Sequence, residues 1–347
     1  MKTIVIIGAG MMGSALAFPA RENGNTVRLV GTHLDGEIIA FCKKNGRHPK
    51  FRQDFPQGVE FATVDGLRDA LDGADFVICG VSSFGVEWFR DAILPLLPDG
   101  LPVLSVTKGL QDTPDGRLLT YPEIWRERLD ALRKTNPLCA IGGPCTSYEL
   151  TAHDHSWVTF CGKDRAALER MREALGTDYY HISLSDDVTG IESAVALKNG
   201  YALGVALTVG LCRRFFGNEE LHYNSQAAVF TQAVREMQRL LEIQGACTLE
   251  NLSVGIGDLY VTVYGGRTRL VGVLLGEGLS IGEAKEKLQG VTLESLVVAE
   301  RVARAVRLRA GRGELDPADF PLLLHIDDIL TKNKPARIPW DEFTDIG

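Results

Sequence analysis

A glycine-rich loop near the start of the chain constrains the fold more than any other feature. The β-branched run at 2–7 ends at Gly8, and a segment of helical composition follows at 11–23. In this strand–loop–helix setting the pattern G-x-G-x-x-G allows a tight turn, a close approach of backbone to a pyrophosphate, and close helix–strand packing. The helix N-terminus also offers unpaired N–H groups to an anion. The other interpretation is a glycine turn without a ligand. Cofactor contacts are expected from Gly8, Gly10, Met11, Met12 and Gly13.

Strand-like and helical segments alternate through the first half of the chain, which predicts a mostly parallel sheet with helices on both faces. Helical periodicity replaces this alternation after about residue 186. We therefore expect an α/β protein with a dinucleotide-binding Rossmann domain at 1–186 and an all-helical domain at 187–347. Strands are predicted at 2–7, 26–30, 59–62, 75–81, 102–106, 138–141, 157–161 and 179–183, and helices at 11–23, 85–97, 121–132, 165–175, 187–212, 219–244, 268–276, 280–288, 292–310 and 317–332.

Composition argues against several classes of protein. The 347 residues carry a formal net charge of −8, whereas a nucleic-acid or anionic-membrane binder needs a basic surface. The seven cysteines lack C-x-x-C spacing, which is typical of free thiols in a reducing cytoplasm. We expect no signal peptide and no membrane span, since no apolar stretch reaches ~18 residues. His153 and His155 flank Asp154 in a polar stretch that predicts a loop rather than a metal site.

The end of the second predicted strand bears on the choice between NAD and NADP. An acid there favours NAD and an arginine favours the 2′-phosphate of NADP. The chain reads Val30, Gly31, Thr32, His33, Leu34 and Asp35. Asp35 either reaches back to a ribose or caps the next helix. We expect NAD as the cofactor, with NADP as the alternative.

Ligands of open α/β sheets bind beyond the carboxyl ends of the strands. Three predicted strands lead there into turns that contain Ser82 and Ser83, Thr107 and Lys108, and the stretch 142–145. These turns and the glycine loop are expected to converge on one crevice. Lys108 either contributes positive charge over a phosphate or carbonyl, or is a solvated turn lysine.

Lys198 interrupts an apolar helical stripe. Steps of three and four residues from it reach only apolar side chains, including Ile191, Val195 and Ala202. Such a lysine snorkels, pairs with a buried acid, or performs chemistry, and desolvation would suit it to general acid catalysis. Two glycines precede Asp258, which suggests a loop or helix start. There Asp258 either anchors Lys198 or caps a helix.

The stretch 264–269 predicts a phosphate cradle. Arg267 follows the paired glycines Gly265 and Gly266 at the start of a predicted helix, and Thr268 adds a hydroxyl. A guanidinium fork together with free N–H groups suits a phosphate. The alternative is a pair of surface arginines.

These pieces together resemble the NAD(P)-dependent glycerol-3-phosphate dehydrogenases over nearly the whole chain. The motifs stand in that family's order: GAGMMGSALA at 8–17, SVTKGL at 105–110, GGPCTSYEL at 142–150, GIESAVALKNGYALGVAL at 190–207, GIGDLYVT at 255–262 and GGRTRLVGVLLGEG at 265–278. The family fold is a Rossmann domain followed by a helical domain. The resemblance implies hydride transfer between a nicotinamide cofactor and glycerol 3-phosphate or dihydroxyacetone phosphate, by a cytoplasmic homodimer.

The resemblance also assigns roles to individual residues. It implies that Lys198 is catalytic with Asp258 and that Lys108 contacts both substrate and cofactor. Arg267 would grip the substrate phosphate and also contact the cofactor. The remaining implied contacts are Ser147 and Gln289 for the cofactor, and Gly143, Gly266 and Thr268 for the substrate.

The sequence departs from the family pattern at three places. Thr268 stands where asparagine is usual, Ser82 where proline is usual, and Tyr148 is bulkier than expected. Two other functions therefore stay open. One is a related dehydrogenase for another small phosphorylated or carboxylated alcohol. The other is a non-catalytic NAD-sensing protein, which has no need of the set Lys108, Lys198, Asp258 and Arg267.

Overall fold

The computed structural model describes residues 1–289 and 293–343, which form two compact units. The first unit contains 1–108 and 121–188, and the second contains 109–120 and the chain from 189 onward. Sequence analysis divides the chain once, between 186 and 187, and does not anticipate that 109–120 belongs with the helical part. Residues 344–347, the end of the predicted second domain, and residue 292 of a predicted helix lie outside the described residues.

Within the described ranges, ten strands are distributed between a sheet in the first unit and a hairpin in the second. They are β1 (Thr3–Ile7), β2 (Thr26–Val30), β3 (Val59–Ala62), β4 (Phe76–Cys79), β5 (Val103–Ser105), β6 (Leu110–Asp112), β7 (Leu118–Thr120), β8 (Leu138–Gly142), β9 (Ser156–Gly162) and β10 (Tyr180–Ser185). The sheet has the order β10-β9-β8-β5-β4-β1-β2-β3, while β6 and β7 form an antiparallel pair. Sequence analysis did not predict this short hairpin.

The predicted mostly parallel sheet is confirmed. Every neighbouring pair in it is parallel except β8 and β9. Apolar side chains such as Ile4, Ile6 and Val77 are fully buried, as expected for strands covered on both faces. The strand order reverses between β1 and β4, so the crevice that such sheets use for ligands lies at the end of β1.

Seven helices belong to the first unit: α1 (Met11–Glu22), α2 (Gly36–Asn45), α3 (Leu67–Leu71), α4 (Val86–Trp88), α5 (Tyr121–Ala131), α6 (Ser147–Thr151) and α7 (Arg165–Leu175). The helix predicted over 85–97 is interrupted. After α4 the chain forms a π-helical turn at Phe89–Ile93 and a 3₁₀ turn at Leu94–Leu96 that contains Pro95. Proline lacks the N–H that a continuing helix needs.

The described part of the second unit contains seven helices: α8 (Val188–Phe216), α9 (Tyr223–Ile243), α10 (Leu249–Gly265), α11 (Arg267–Gly276), α12 (Ile281–Lys287), α13 (Glu294–Gly311) and α14 (Pro321–Lys332). Helix α8 is long and apolar enough by composition to cross a membrane, but 83% of its most apolar window is buried inside the protein. It therefore has the burial of a core helix, and Tyr201, Val205 and Leu207 lie in the hydrophobic core of this unit.

The position of Asp258 in α10 differs from the prediction. The glycines before Asp258 predicted a loop or helix start, whereas Asp258 lies in the middle of α10. Thr248 caps this helix at its N-terminus, accepting a hydrogen bond from the backbone N–H of Asn251 over 3.1 Å. Asp258 is therefore not a helix cap, and Gly255 packs closely against Ala194 of α8.

A buried carboxylate joins α9 to α14. Glu236 is fully buried and accepts hydrogen bonds from the backbone N–H groups of Leu322 (2.8 Å) and Leu323 (2.9 Å), at the first turn of α14. Gln232 donates a third hydrogen bond, over 2.9 Å. Burial nevertheless raises the pKa of Glu236 from 4.5 to about 7, because desolvation disfavours the charged form.

Candidate active site

The glycine loop of the first unit is packed so tightly that side chains are excluded from it. Gly8 has a φ of 110°, and a Cβ there would lie 2.7 Å from the carbonyl carbon of Gly80. A Cβ at Gly13 would lie 2.6 Å from the carbonyl oxygen of Gly8. Gly80, at the end of β4, meets both residues. The loop, the start of α1 and the end of β4 can therefore pack together only as glycine backbone.

Gly10 differs from these glycines because it is exposed. It occupies the N-cap position of α1 with an extended backbone, and its nearest steric neighbour would be 3.4 Å from a Cβ. The first turn of α1 is formed by the uncharged residues Met11, Met12, Gly13 and Ser14. An exposed glycine at an uncharged helix N-terminus fits the pyrophosphate of a dinucleotide.

Asp35 lies beside this loop, but its carboxylate points away from the helix that it was expected to cap. Its Oδ2 accepts hydrogen bonds from the backbone N–H of Thr32 (2.8 Å), the hydroxyl of Thr32 (2.8 Å) and the backbone N–H of Ala9 (3.1 Å). The carboxylate thus ties the end of β2 to the glycine loop. Asp35 does occupy the N-cap position of α2, but its side chain makes no capping hydrogen bond there. The ribose interpretation stays a prediction.

Hydrogen bonds join the predicted turns at the carboxyl edge of the sheet. The hydroxyl of Thr107 donates to the carbonyl oxygen of Val81 over 2.7 Å. The Lys108 ammonium donates to the carbonyl oxygen of Gly143 over 2.9 Å. The turns after β4, β5 and β8 are therefore brought together as expected. Lys108 is half-buried, unlike a solvated turn lysine.

Tyr148 also contacts the glycine loop. Its hydroxyl lies 3.7 Å from the sulfur of Met11. Ser147 is buried at the first position of α6, where Thr146 provides the N-cap. The bulk of Tyr148 thus lies over the start of α1, beside the predicted cofactor contacts.

In the second unit, Lys198 of α8 and Asp258 of α10 form an ion pair between their Nζ and Oδ1 atoms. Lys198 is 9% exposed and Asp258 is fully buried. The apolar stripe therefore did predict a buried ammonium, and Asp258 is the acid that faces it. Burial of an ion pair is unfavourable unless both partners are well placed.

A close contact of α8 with α10 positions this pair. Gly255 lies against Ala194, so that a Cβ at position 255 would be 3.0 Å from the Ala194 Cβ and 3.1 Å from its carbonyl oxygen. Gly255 and Ala194 are about one helical turn before Asp258 and Lys198, respectively. Gly255, which sequence analysis interpreted as part of a loop or helix start, thus serves the packing of α10 on α8.

Helix α11 packs equally closely on α8. A Cβ at Gly272 would lie 2.6 Å from both the Ala206 Cβ and the Leu203 carbonyl oxygen. Gly276 meets Leu207 and Gly210 one turn further along both helices, so the two helices run in the same direction. The same register carried back one turn puts Thr268 near the level of residues 199–202, next to Lys198 in the sequence of α8.

The predicted phosphate cradle forms the N-terminus of α11. Gly266 is the N-cap residue, Arg267 is exposed, and Thr268 is buried. Arg267 and Arg269 make the first turn positively charged. Gln289 lies exposed in the turn after α12, also in the second unit. These positions suit a ligand with a dianionic group at the start of α11.

Among the described residues, His153 and His155 contact other side chains and do not form a metal centre. His153 pairs with Glu22 over 3.0 Å, and His155 Nδ1 lies 3.0 Å from His181 Nε2. Within 1–289 and 293–343, no three histidine, cysteine or acidic residues are grouped so that they could hold a metal ion. None of the seven cysteines forms a disulfide bond.

A glycine-lined dinucleotide fold in one unit, with a buried lysine–aspartate pair and an arginine-headed helix in the other, defines a nicotinamide-dependent dehydrogenase. The family model for the NAD-dependent glycerol-3-phosphate dehydrogenase N-terminus matches residues 3–168, and the model for the C-terminus matches 187–340. The chain therefore belongs to the NAD-dependent glycerol-3-phosphate dehydrogenase family.

Individual relatives agree with this family. The chain is 38% identical over 307 residues to an NADP(+)-dependent glycerol-3-phosphate dehydrogenase of Archaeoglobus fulgidus, covering 87% of this chain and 89% of the relative. It is 30% identical to an NAD(P)+ glycerol-3-phosphate dehydrogenase of Citrifermentans bemidjiense, covering 97% and 95%. The fold is similar to the crystal structure of glycerol-3-phosphate dehydrogenase from Coxiella burnetii, with a TM-score of 0.79, 24% identity and 96% of each chain covered.

Proposed function

We propose that this chain interconverts sn-glycerol 3-phosphate and dihydroxyacetone phosphate, with Lys198 as general acid and base. The observation that carries the proposal is the buried pair of Lys198 and Asp258, near the level of the arginine-headed N-terminus of α11. A buried lysine that only stabilised the core would not account for the arginine-headed helix start in the same unit. The alternative of a non-catalytic sensor leaves this pair without a task.

The substrate phosphate is held at the start of α11. Arg267 contributes its guanidinium fork, Thr268 its hydroxyl, and the backbone after Gly266 its free N–H groups. Binding the phosphate fixes the carbonyl carbon relative to Lys198, so a large part of the rate enhancement comes from orientation. Gly143 and Lys108, in the first unit, are further proposed substrate contacts, as the family resemblance implies.

Lys198 handles the proton. In the direction of reduction its Nζ donates a hydrogen bond and then a proton to the C2 oxygen, and in the reverse direction the neutral amine removes that proton. The Asp258 carboxylate holds the ammonium in place. Lys108 adds positive charge that stabilises the developing alkoxide.

A nicotinamide dinucleotide fits the first unit, where Gly8, Gly13 and Gly80 leave room only for backbone and Gly10 is exposed. When bound, the cofactor supplies or accepts the hydride. The backbone of Gly10, Met11 and Met12 would hold its pyrophosphate. Further contacts are proposed for Lys108, Ser147, Arg267 and Gln289.

The test of this function is a steady-state assay that follows the absorbance of reduced nicotinamide with dihydroxyacetone phosphate as substrate. We expect turnover with NADH, and a parallel series with NADPH measures the cofactor preference. Lys198→Met should lower kcat by about a hundredfold or more, as expected for loss of a general acid, with little change in cofactor affinity. The matched control is Lys285→Met, which changes an exposed lysine of α12. Near-wild-type turnover of Lys198→Met would refute the assignment.

A panel of substrates separates the proposal from a related dehydrogenase. Thr268 and Tyr148 are the residues that favour testing other small phosphorylated or carboxylated alcohols and their ketones. The proposal expects dihydroxyacetone phosphate to give the highest kcat/KM of the panel. A higher value for a carboxylated ketone would assign the chain to the rival activity, and cofactor binding without any turnover would assign it to the sensors.

We further propose that the enzyme is a cytoplasmic homodimer. Seven cysteines that form no disulfide bonds support a reducing compartment. Exposed aromatic side chains at the end of α8 and the start of α9, such as Phe215 at 82% and Tyr223 at 62% exposure, support an interface with a second copy. Light scattering of the purified protein tests the dimer, and a monomeric mass at working concentration would exclude it.

A further inference from the structure

The second residue of the glycine loop is held from both sides by side chains. Ala9 is fully buried, and its backbone N–H donates to Asp35 Oδ2 over 3.1 Å. Its carbonyl oxygen lies 3.2 Å from His48 Nε2. Both peptide groups that flank the Ala9 Cα are thus restrained by side chains from outside the loop.

The hydrogen bonds of His48 define its tautomer. The backbone N–H of Lys50 donates to His48 Nδ1 over 3.2 Å, so Nδ1 is an acceptor and the proton resides on Nε2. His48 Nε2–H therefore donates to the Ala9 carbonyl. His48 is 1% exposed and its ring packs against the tilted ring of Phe51, with 4.6 Å between ring centroids. Burial also lowers the pKa of His48, which keeps the imidazole neutral.

The Asp35 carboxylate, which accepts the Ala9 N–H, is itself held by hydrogen bonds from Thr32. Besides Ala9, its Oδ2 accepts from the N–H and the hydroxyl of Thr32, each over 2.8 Å. The end of β2 therefore fixes the carboxylate, and the carboxylate fixes the Ala9 N–H. Since Gly8 and Gly10 on either side have little conformational restraint of their own, Ala9 is the place where side chains can hold the loop.

We propose that Asp35 and His48 are positioning residues for the cofactor, which act by clamping the Ala9 backbone so that the N–H groups of Gly10, Met11 and Met12 face the pyrophosphate. This inference rests on the proposed function. A loop held in its binding conformation before the ligand arrives loses less entropy on binding, so the clamp strengthens cofactor affinity. This effect is exerted through the Ala9 backbone and does not require Asp35 or His48 to contact the cofactor.

The experiment compares His48→Leu, His48→Gln and Asp35→Ala with the wild-type enzyme. Glutamine can place an amide N–H near the position of Nε2, whereas leucine cannot donate. Two matched controls lie in the same unit. His181→Leu removes an exposed imidazole, and Asp75→Ala removes a carboxylate that accepts the Thr3 N–H over 2.8 Å at the opposite end of β1.

Three quantities are measured on each folded variant: the Kd of NADH by fluorescence, the separate KM and kcat values, and hydrogen exchange of the peptide that covers 5–13 without cofactor. We expect His48→Leu and Asp35→Ala to raise Kd and the cofactor KM by about tenfold, which corresponds to ~1.4 kcal/mol, the scale of one hydrogen bond. The KM for dihydroxyacetone phosphate and kcat should stay within about twofold, and loop exchange should become faster. His48→Gln should recover most of the affinity, and both controls should match the wild type.

Unchanged Kd and loop exchange in folded His48→Leu and Asp35→Ala would overturn the clamp. So would an equal loss in both KM values and kcat, because that result indicates general damage. If His48→Leu does not fold, Asp35→Ala decides in the same way on its own. A wild-type enzyme that binds NADH but reduces no substrate would refute the proposed function and leave the clamp to be judged by Kd and exchange alone.

Discussion

Gly255 on α10 lies against Ala194 on α8, and about one turn further along the two helices Asp258 meets Lys198. The ion pair and the glycine contact are therefore parts of one arrangement. The absent side chain at position 255 allows the close helix approach that brings the carboxylate to the ammonium.

Gly255→Ala should separate these helices. The new Cβ would lie 3.1 Å from the backbone carbonyl oxygen of Ala194, which cannot move alone. We expect a loss of ~1–3 kcal/mol in the free energy of unfolding, as for other overpacked cores, and a lower kcat. The control Gly282→Ala adds a methyl group in open space on α12. It should stabilise by ~0.5–1 kcal/mol. Chemical denaturation of the two variants checks this, and equal stabilities would contradict it.

The contribution of the Lys198–Asp258 ion pair to stability can be measured separately from its contribution to catalysis. Removing one partner leaves the other charge buried and should cost ~3–5 kcal/mol, so Lys198→Met and Asp258→Leu should each be strongly destabilised. The double variant should recover most of that stability because two apolar side chains fill the site. Its kcat should remain as low as that of Lys198→Met. Recovery of activity together with stability would mean that the pair is structural only.

Glu236 should make stability depend on pH in a defined direction. Its pKa is about 7 in the folded protein and 4.5 ordinarily. Between these values the folded state binds a proton that the unfolded state has released, so the Glu236 contribution to stability falls as pH rises from about 4.5 to about 7. Glu236→Gln should remove a slope worth ~2–3 kcal/mol over this window. Denaturation at several pH values measures it, with exposed Glu250→Gln as control. Parallel profiles for wild type and Glu236→Gln would contradict the argument.

Two glycines of the cofactor loop should respond differently to the same methyl group. Gly13→Ala places a Cβ 2.6 Å from the Gly8 carbonyl oxygen and should destabilise the fold by ~1–3 kcal/mol. Gly10→Ala has 3.4 Å of room and should change stability by less than ~1 kcal/mol. Gly10→Ala should nevertheless weaken NADH binding, because its methyl group stands where the pyrophosphate approaches. Calorimetric unfolding and titration with NADH give the two quantities, and normal affinity in Gly10→Ala would place the pyrophosphate elsewhere.

Strong local patterns made much of this structure predictable. Apolar runs predicted both ends of β2 and β3 correctly. One charged residue in an apolar stripe identified Lys198 as buried. The helical periodicity of α10 was obscured because Gly255 looks like a loop former in sequence. Its actual role depends on Ala194, 61 positions earlier, which no local window contains.

The residues that sequence analysis missed depend on contacts between distant segments. His48 gives no signal in sequence, since a single histidine in a polar stretch has no periodic neighbours, and its partner Ala9 is 39 positions away. For Asp35, sequence analysis left a ribose contact and a helix cap open, because the sequence does not show which way its carboxylate points. Glu236 looked like an ordinary helical acid because its backbone partners come from α14.

The hairpin of β6 and β7 has a consequence for how this gene can be divided. The chain passes between the two units at 108–109, 120–121 and 188–189. Leu110 is fully buried in the core of the helical unit, and Asp112 pairs with Arg304 of α13 over 2.8 Å. A fragment that ends at 188 would carry an apolar hairpin without its partners, and a fragment that begins at 189 would lack part of its own core. The two units pack separately, but their sequences are interleaved. A single crossover at 188–189 between this gene and a homologue's would therefore combine a helical unit from one parent with a hairpin from the other.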